Sequence, residues 1–315
     1  MMKKEPLFSI LIANYNNGKY LMDAVESVRR QTYANWEIVL VDDGSNDNSE
    51  EVYAELEKDE RIHIYRNEKN MGCGYTKHRC ADLANGEICG FLDPDDALTE
   101  NALELEVKIH VEHPEVSIVY SKAYLCDTNF TVFDRVKLPD FKGKTYFDHR
   151  WAGCMAFASF KRDAYRKTKG VNPKAMAGID QDLYFKLEEV GEIYPLDEFT
   201  YYYVVKGHND SITTGRGNYG KLWYWNMLAR YEACKRRGLD ADTIMPKDFD
   251  EALKNYADQL VADKQKDIIE SIVNDRLEEA MYQREKEVRS TLTYRVGYAI
   301  LKPYRWMQRL LSSKK

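Results

Sequence analysis

Three carboxylates lie almost side by side at Asp93-Pro94-Asp95-Asp96, directly after an apolar run that ends at Leu92. At that spacing they repel one another unless water or a cation neutralises them. Mg2+ and Mn2+ favour oxygen ligands of this kind and keep positions open for diphosphate oxygens. The plainer alternative is an exposed acidic turn capping a helix that starts near TENALELE. A second acidic turn, Asp42-Asp43-Gly44-Ser45, follows a Val-rich run. One of its carboxylates can accept hydrogen bonds from a base N–H or a ribose hydroxyl. Alternatively the turn ends a strand, and Ser45 or Asp47 caps the next helix.

Two further groups are suited to anions and protons. Gly72-Cys73-Gly74 precedes a helical pattern, where backbone N–H groups can cradle phosphate oxygens and Lys77 adds a cation one turn on. The loop lacks the full glycine pattern of a Rossmann or P-loop site. Asp180 and Asp182 open another helical run. The helix dipole favours carboxylates there, keeps them ionised at neutral pH and suits one of them to act as a general base. His208, in the polar run KGHNDSIT, is the other candidate for moving a proton, although a lone loop histidine is more often simply exposed.

The elements that position these residues follow from periodicity. Between Phe8 and Leu92 the short β-rich runs FSILIA, WEIVLV, IHIY and ICGFL alternate with the longer segments LMDAVESVRRQ, SEEVYAELEKD and YTKHRCADLA. The longer segments carry apolar residues three and four apart, such as Leu21, Val25 and Val28, which predicts crossover helices over a parallel sheet. Such a sheet brings its strand ends, and the loops NYNNG, DDGSND, RNEKNMGCG and DPDD, to one ligand-binding edge. Beyond them the sequence predicts a helix over about 100–113, short strands at VSIVYS and TVFDRV, a helix in GIDQDLYFKLEEVG stopped by Gly191, and a strand at EFTYYYVV. This first domain, 1–217, gives way to a helical extension, 218–289, which opens with KLWYWNMLARYEACKRRG ending at Gly238.

Charge restricts the partners. The 315 residues carry a net charge of −6, which argues against a nucleic-acid binder, because phosphate backbones are held by surplus Lys and Arg. An acidic protein that grips phosphates needs a bound cation. The six cysteines show no C-x-x-C pairing, and the N-terminal LFSILIA lacks a cleavage site, so free thiols and a cytoplasmic location are expected. Residues 290–315 carry six basic side chains and no acidic one, leaving −12 on the rest of the chain. With Trp306, Leu310 and Leu311 among them, this basic amphipathic tail suits peripheral contact with the inner face of a membrane. Packing on the chain's own acidic domain or on another subunit is the alternative, and the C-terminal helices also offer a route to a homo-oligomer.

Taken together, ILIANYNNGKYL, QTYANWEIVLVDDGSNDNS, NEKNMGCGYTKHRCADLANGEICGFLDPDD and GIDQDLYFKLEEVG resemble the family-two glycosyltransferases of the GT-A fold. The likeness spans about residues 7–215. It implies an α/β, Rossmann-like, mostly parallel sheet with flanking helices, followed here by an α-helical C-terminal extension. It further implies an inverting enzyme of hexosyltransferase type, moving a sugar from a nucleotide-sugar, with UDP favoured, to a hydroxyl of a saccharide or lipid-linked saccharide, as in surface-polysaccharide assembly.

The same resemblance implies roles for individual residues. Ala13 and Tyr15 border the base, Asp43 bonds it, and Lys77 faces the diphosphate. Asp93 and Asp95 hold Mn2+ or Mg2+, with Asp95 the closer ligand, and Asp180 stands where the family keeps its base. Ala13, Lys77 and Ile179 depart from the usual Pro, Arg and Glu; the last departure brings in Asp182 as a second candidate base, and sequence spacing favours Asp180. Trp151, Asp182 and His208 are candidates to meet the acceptor, although aromatics in the stretch around Trp151 more often fill a core. A sugar-1-phosphate nucleotidyltransferase is the alternative enzyme, but it would open with a Gly-rich basic loop where this chain has NYNNG. A catalytically inactive nucleotide-sugar-binding scaffold is the other alternative.

Overall fold

The four apolar runs form the parallel strands that their alternation with helices predicts. In the computed structural model they are β1 (Phe8–Asn14), β2 (Trp36–Asp42), β3 (Ile62–Arg66) and β4 (Ile88–Phe91), adjacent in the order β3-β2-β1-β4. The structure describes residues 5–137, 145–148, 157–206 and 219–244, together with 251, 254, 257, 258, 261 and 262. The crossover helices are α1 (Gly18–Arg29), α2 (Ser49–Leu56) and α3 (Cys73–Leu83). Successive β1 side chains point to opposite faces. Ile10 and Ile12 therefore pack with Leu21, Val25 and Val28 of α1, while Leu11 packs with Cys80 and Ala81 of α3. Each of the Ile, Leu and Val side chains among them, fully buried, contributes about 1.5–3 kcal/mol.

The rest of the sheet departs from the expected mostly parallel pattern. β5 (Ala97–Leu98), β6 (Val116–Cys126), β7 (Val132–Val136), β8 (Ala158–Lys161) and β9 (Glu192–Val204) complete nine strands among the described residues. β8 runs antiparallel between β4 and β6, β9 lies parallel to β6, and β5 and β7 pair antiparallel with β9 and β6. The sheet is therefore mixed. β9 changes register against β6 near Ser121 and Lys122, a bulge that sequence periodicity does not reveal.

Helix α4 (Ala102–Glu112) covers the α1 face, and α5 (Arg162–Arg166) follows β8 directly. Helix α6 (Ile179–Glu188) covers the α3 face. Its end corrects the reading of Gly191 as a helix stop: α6 finishes three residues earlier, with Glu189 still in right-handed geometry. Gly191 is needed instead for close approach, since a Cβ there would lie 2.7 Å from the Ser117 Cβ. Helix α7 (Tyr219–Arg236) puts Met227, Ala233 and Cys234 into the same core as Leu183 and Phe185 of α6, and a short α8 (Ala241–Ile244) follows. Met1–Tyr256 forms one compact unit, and Ala257–Lys315 a second, to which the basic tail belongs; residues 290–315 lie outside the described residues. No described helix is long and apolar enough to cross a membrane.

Candidate active site

The parallel register sets one edge: Asn14 at the end of β1 stands beside Asp42 at the end of β2. The two aspartates that follow β2 do different work. Asp42 accepts the Tyr53 hydroxyl at 2.7 Å and the backbone N–H groups of Gly44 and Ser45 at 3.2 Å. Tyr53 in turn accepts the Asn14 amide at 2.7 Å, so the turn is fastened to α2 and β1. Gly44 sits at φ +75° with Lys69 backbone against it, where a side chain would be both strained and crowded. The N-cap of α2 is Asn48, not the expected Asp47 or Ser45; Asp47 precedes it and links two helix starts, accepting Gly18 N–H at 2.9 Å and Ser49 N–H at 3.0 Å.

Asp43 is 3% exposed and accepts three hydrogen bonds. They come from the Asn67 amide at 2.7 Å, Met71 N–H at 2.8 Å and Gly72 N–H at 2.9 Å. The Gly72 N–H expected to face a phosphate is thus turned to Asp43. Gly74 has a packing role, because a Cβ on it would fall 2.4 Å from the Ala175 carbonyl oxygen. This contact seats the start of α3 against the segment leading into α6. Tyr15 is 42% exposed at the rim, while Ala13 is partly buried against the core.

Lys77, one turn into α3, is the hub of the site. Its ammonium lies 3.1 Å from Asp93 at the end of β4 and 3.4 Å from Asp180 in the first turn of α6, and it faces the Phe91 ring. Burial alone would lower its pKa, but the charges of Asp180 and Asp93 outweigh that and hold it well above the usual lysine range. One cation therefore joins two carboxylates 87 residues apart in the chain, and both remain open to solvent, with side chains 43% and 50% exposed.

The three aspartates of the 93–96 turn separate by direction. Asp96 is 2% exposed and turned into the core, accepting the Tyr201 hydroxyl at 2.8 Å and Val204 N–H at 2.7 Å, and so ties the turn to β9. Burial first, then the neighbouring Asp95 and Asp93 charges, push its pKa well above the carboxylate range. Asp95 faces the other way and pairs with Lys206 at 2.8 Å. Lys206 also donates to the Asn17 side-chain oxygen at 3.0 Å and lies 4.1 Å from the centre of the Tyr20 ring.

Sequence reasoning missed Lys206. It reaches the turn because β9 pairs antiparallel with β5, aligning Ala97 with Tyr202 and carrying the residues beyond Tyr202 back past Asp95. No local signal marks such a pairing.

In α6, Asp182 is turned inward and pairs with Lys186 at 2.6 Å, both side chains being 11% exposed or less. Lys186 also donates to the Gly170 carbonyl at 2.7 Å. Only Asp180 of the two faces the site. Trp151 and His208 lie outside the described residues.

Among the described residues no group of three or more His, Cys, Asp or Glu side chains is arranged to hold a metal. Asp93 and Asp95 nonetheless supply two partly exposed hard oxygen donors, the set by which Mg2+ is commonly held together with substrate phosphates. The residues present fit a divalent cation that arrives with a diphosphate.

Residues 9–169 match the family model described as glycosyl transferase family 2. The chain is 30% identical over 220 residues to the chondroitin synthase of Escherichia coli, covering 67% of this chain and 31% of that protein. It is 32% identical over 126 residues to an E. coli enzyme, UDP-Glc:alpha-D-GlcNAc-diphosphoundecaprenol beta-1,3-glucosyltransferase WfgD, covering 40% of this chain and 49% of that protein. The chain thus spans less than half the length of either relative. Its fold is similar to that of the mannosyltransferase PcManGT from Pyrobaculum calidifontis, solved with GDP-Man and Mn2+. That match has a TM-score of 0.57 at 17% identity and covers 96% of this chain and 88% of that one. The matched family model, covering half of the chain on a GT-A sheet, establishes that this protein belongs to glycosyl transferase family 2.

Proposed function

We propose that the chain transfers a sugar, with inversion, from a nucleotide-sugar to a hydroxyl of a saccharide acceptor. The observation that carries this reading is the Lys77 hub, which holds Asp93 and Asp180 at one point on the sheet edge. Asp180 is the general base: it is half exposed in the first turn of α6, beside Lys77. As the acceptor oxygen attacks the anomeric carbon, the Asp180 carboxylate takes its proton, and the nucleoside diphosphate leaves from the opposite side. Lys77 exchanges one carboxylate for a diphosphate oxygen and so places a positive charge where negative charge develops. Asp95 and Asp93 would hold Mn2+ or Mg2+, which when bound supplies further positive charge to the departing diphosphate.

Tyr15 borders the base, beside Ala13. Asp43 uses three of about four acceptor positions internally, which leaves about one for a base N–H. Uridine is the proposed base and a lipid-linked saccharide the proposed acceptor, supported by the donor and acceptor in the name of WfgD. Trp151 and His208 are proposed to meet that acceptor, with 1–217 as the catalytic domain, 218–289 as an extension and 290–315 as its membrane contact. The test is a panel of nucleotide-sugars incubated with saccharide acceptors in Mn2+ and in EDTA. Nucleoside diphosphate release with at least one donor, abolished by EDTA, is expected; tight nucleotide binding without turnover of any donor would refute the transferase reading.

A further inference from the structure

The two lysines beside the 93–96 turn are held differently. Lys77 has two carboxylate partners, so it keeps Asp180 if Asp93 turns to another cation. Lys206 has one. Among the described residues its only charged partner is Asp95, and its other contacts, the Asn17 side-chain oxygen and the Tyr20 ring, are neutral. Those neutral contacts come from the start of α1, across the site from the turn, and they form a seat for an ammonium that leaves only 9% of the lysine side chain exposed. The sheet therefore presses a chain-borne cation onto the carboxylate that the proposed function gives to a divalent metal.

We propose that Lys206 sets the divalent-cation affinity of the site by competing for Asp95, so that the cation binds weakly until a nucleoside diphosphate adds its negative charge. This inference rests on Asp95 being a metal ligand. A cation arriving alone must share Asp95 with a seated positive charge, at a Coulombic cost. A cation arriving with a diphosphate brings anionic oxygens that offset both positive charges. Asp93, shared with a lysine that retains a second partner, imposes a smaller penalty.

The test is titration of the 315-residue protein with MnCl2, followed by calorimetry and by the electron paramagnetic resonance of free Mn2+, without and with UDP. Lys206→Gln should bind Mn2+ roughly tenfold more tightly than the unaltered protein when UDP is absent, the scale of losing one unit charge beside a dication in a largely aqueous dielectric. Lys206→Arg keeps the charge and should stay near the unaltered value. UDP should tighten Mn2+ binding more in the unaltered protein than in K206Q. Equal or weaker Mn2+ binding by K206Q would overturn competition while leaving the metal site standing. No Mn2+ binding by folded K206Q, even with UDP, would remove the metal site itself and the competition with it. If K206Q does not fold, Asn17→Ala carries the test: it leaves Asp95 intact and loosens the seat, so Mn2+ binding should tighten, and no tightening would overturn the proposal.

Discussion

The turn after β2 and the turn after β4 both present adjacent aspartates at the same sheet edge, yet they use them in opposite ways. After β2, Asp42 and Asp43 are 6% and 3% exposed and accept hydrogen bonds from Tyr53, Gly44, Ser45, Asn67, Met71 and Gly72. After β4, Asp93 and Asp95 keep open surface, and flexible lysine ammonium groups are their ion-pair partners. A carboxylate satisfied by backbone N–H groups fixes geometry, because those donors cannot leave without moving the chain. A carboxylate satisfied by a lysine can exchange its partner for a ligand. Within α6 both aspartates pair with a lysine and the difference is exposure alone: Asp182 is sealed against Lys186, while Asp180 stays half exposed beside Lys77.

Substitutions can break or sharpen this contrast. The largest effect is expected for Asp95→Ala, which should lower turnover by about 10²–10⁴-fold with little change in unfolding free energy, because it removes a cation contact worth several kcal/mol in the transition state. Transfer assays and urea denaturation run in parallel would check it. Asp43→Ala should behave in the opposite sense. Losing three hydrogen bonds to a charged acceptor, each worth about 1.5–3 kcal/mol with part recovered from water, should cost about 4 kcal/mol of stability. A D43A protein that is as stable as the parent would mean the β2 turn is not the scaffold described.

Asp182→Asn should cost about 3 kcal/mol through the loss of a nearly buried ion pair. Its turnover per folded molecule should match the parent, and a large kinetic defect at unchanged stability would instead make Asp182 part of the chemistry. Tyr53→Phe should be the mildest change, about 2 kcal/mol in chemical denaturation for the lost bonds to Asp42 and from Asn14.

Much of this arrangement was legible before any coordinates. The four parallel strands follow from short continuous apolar runs, such as that holding Ile10 and Leu11, and their helices from a period of 3.6, as Leu21, Val25 and Val28 illustrate. The edge position of both aspartate turns was readable too, because each follows a parallel strand. What local pattern cannot show is which side chain a residue meets across the fold. Gly191 looked like a helix stop because its contact with Ser117 joins segments more than 70 residues apart. The antiparallel β8 between β4 and β6, and Lys206 beside Asp95, depend on long-range pairing in the same way. Sequence spacing favoured Asp180 over Asp182, but the pairing of Asp182 with Lys186 and of Asp180 with Lys77 was not readable.

The central claim is that Asp180 removes the acceptor proton at the Lys77 hub, and Asp180→Asn tests it most directly. Transfer should be measured beside donor affinity, using whichever nucleotide-sugar the parent turns over. Turnover should drop by about 10²–10⁴-fold while the donor dissociation constant stays within about threefold, as expected for loss of a general base alone. Transfer by D180N at the parent rate, with donor binding intact, would contradict the account.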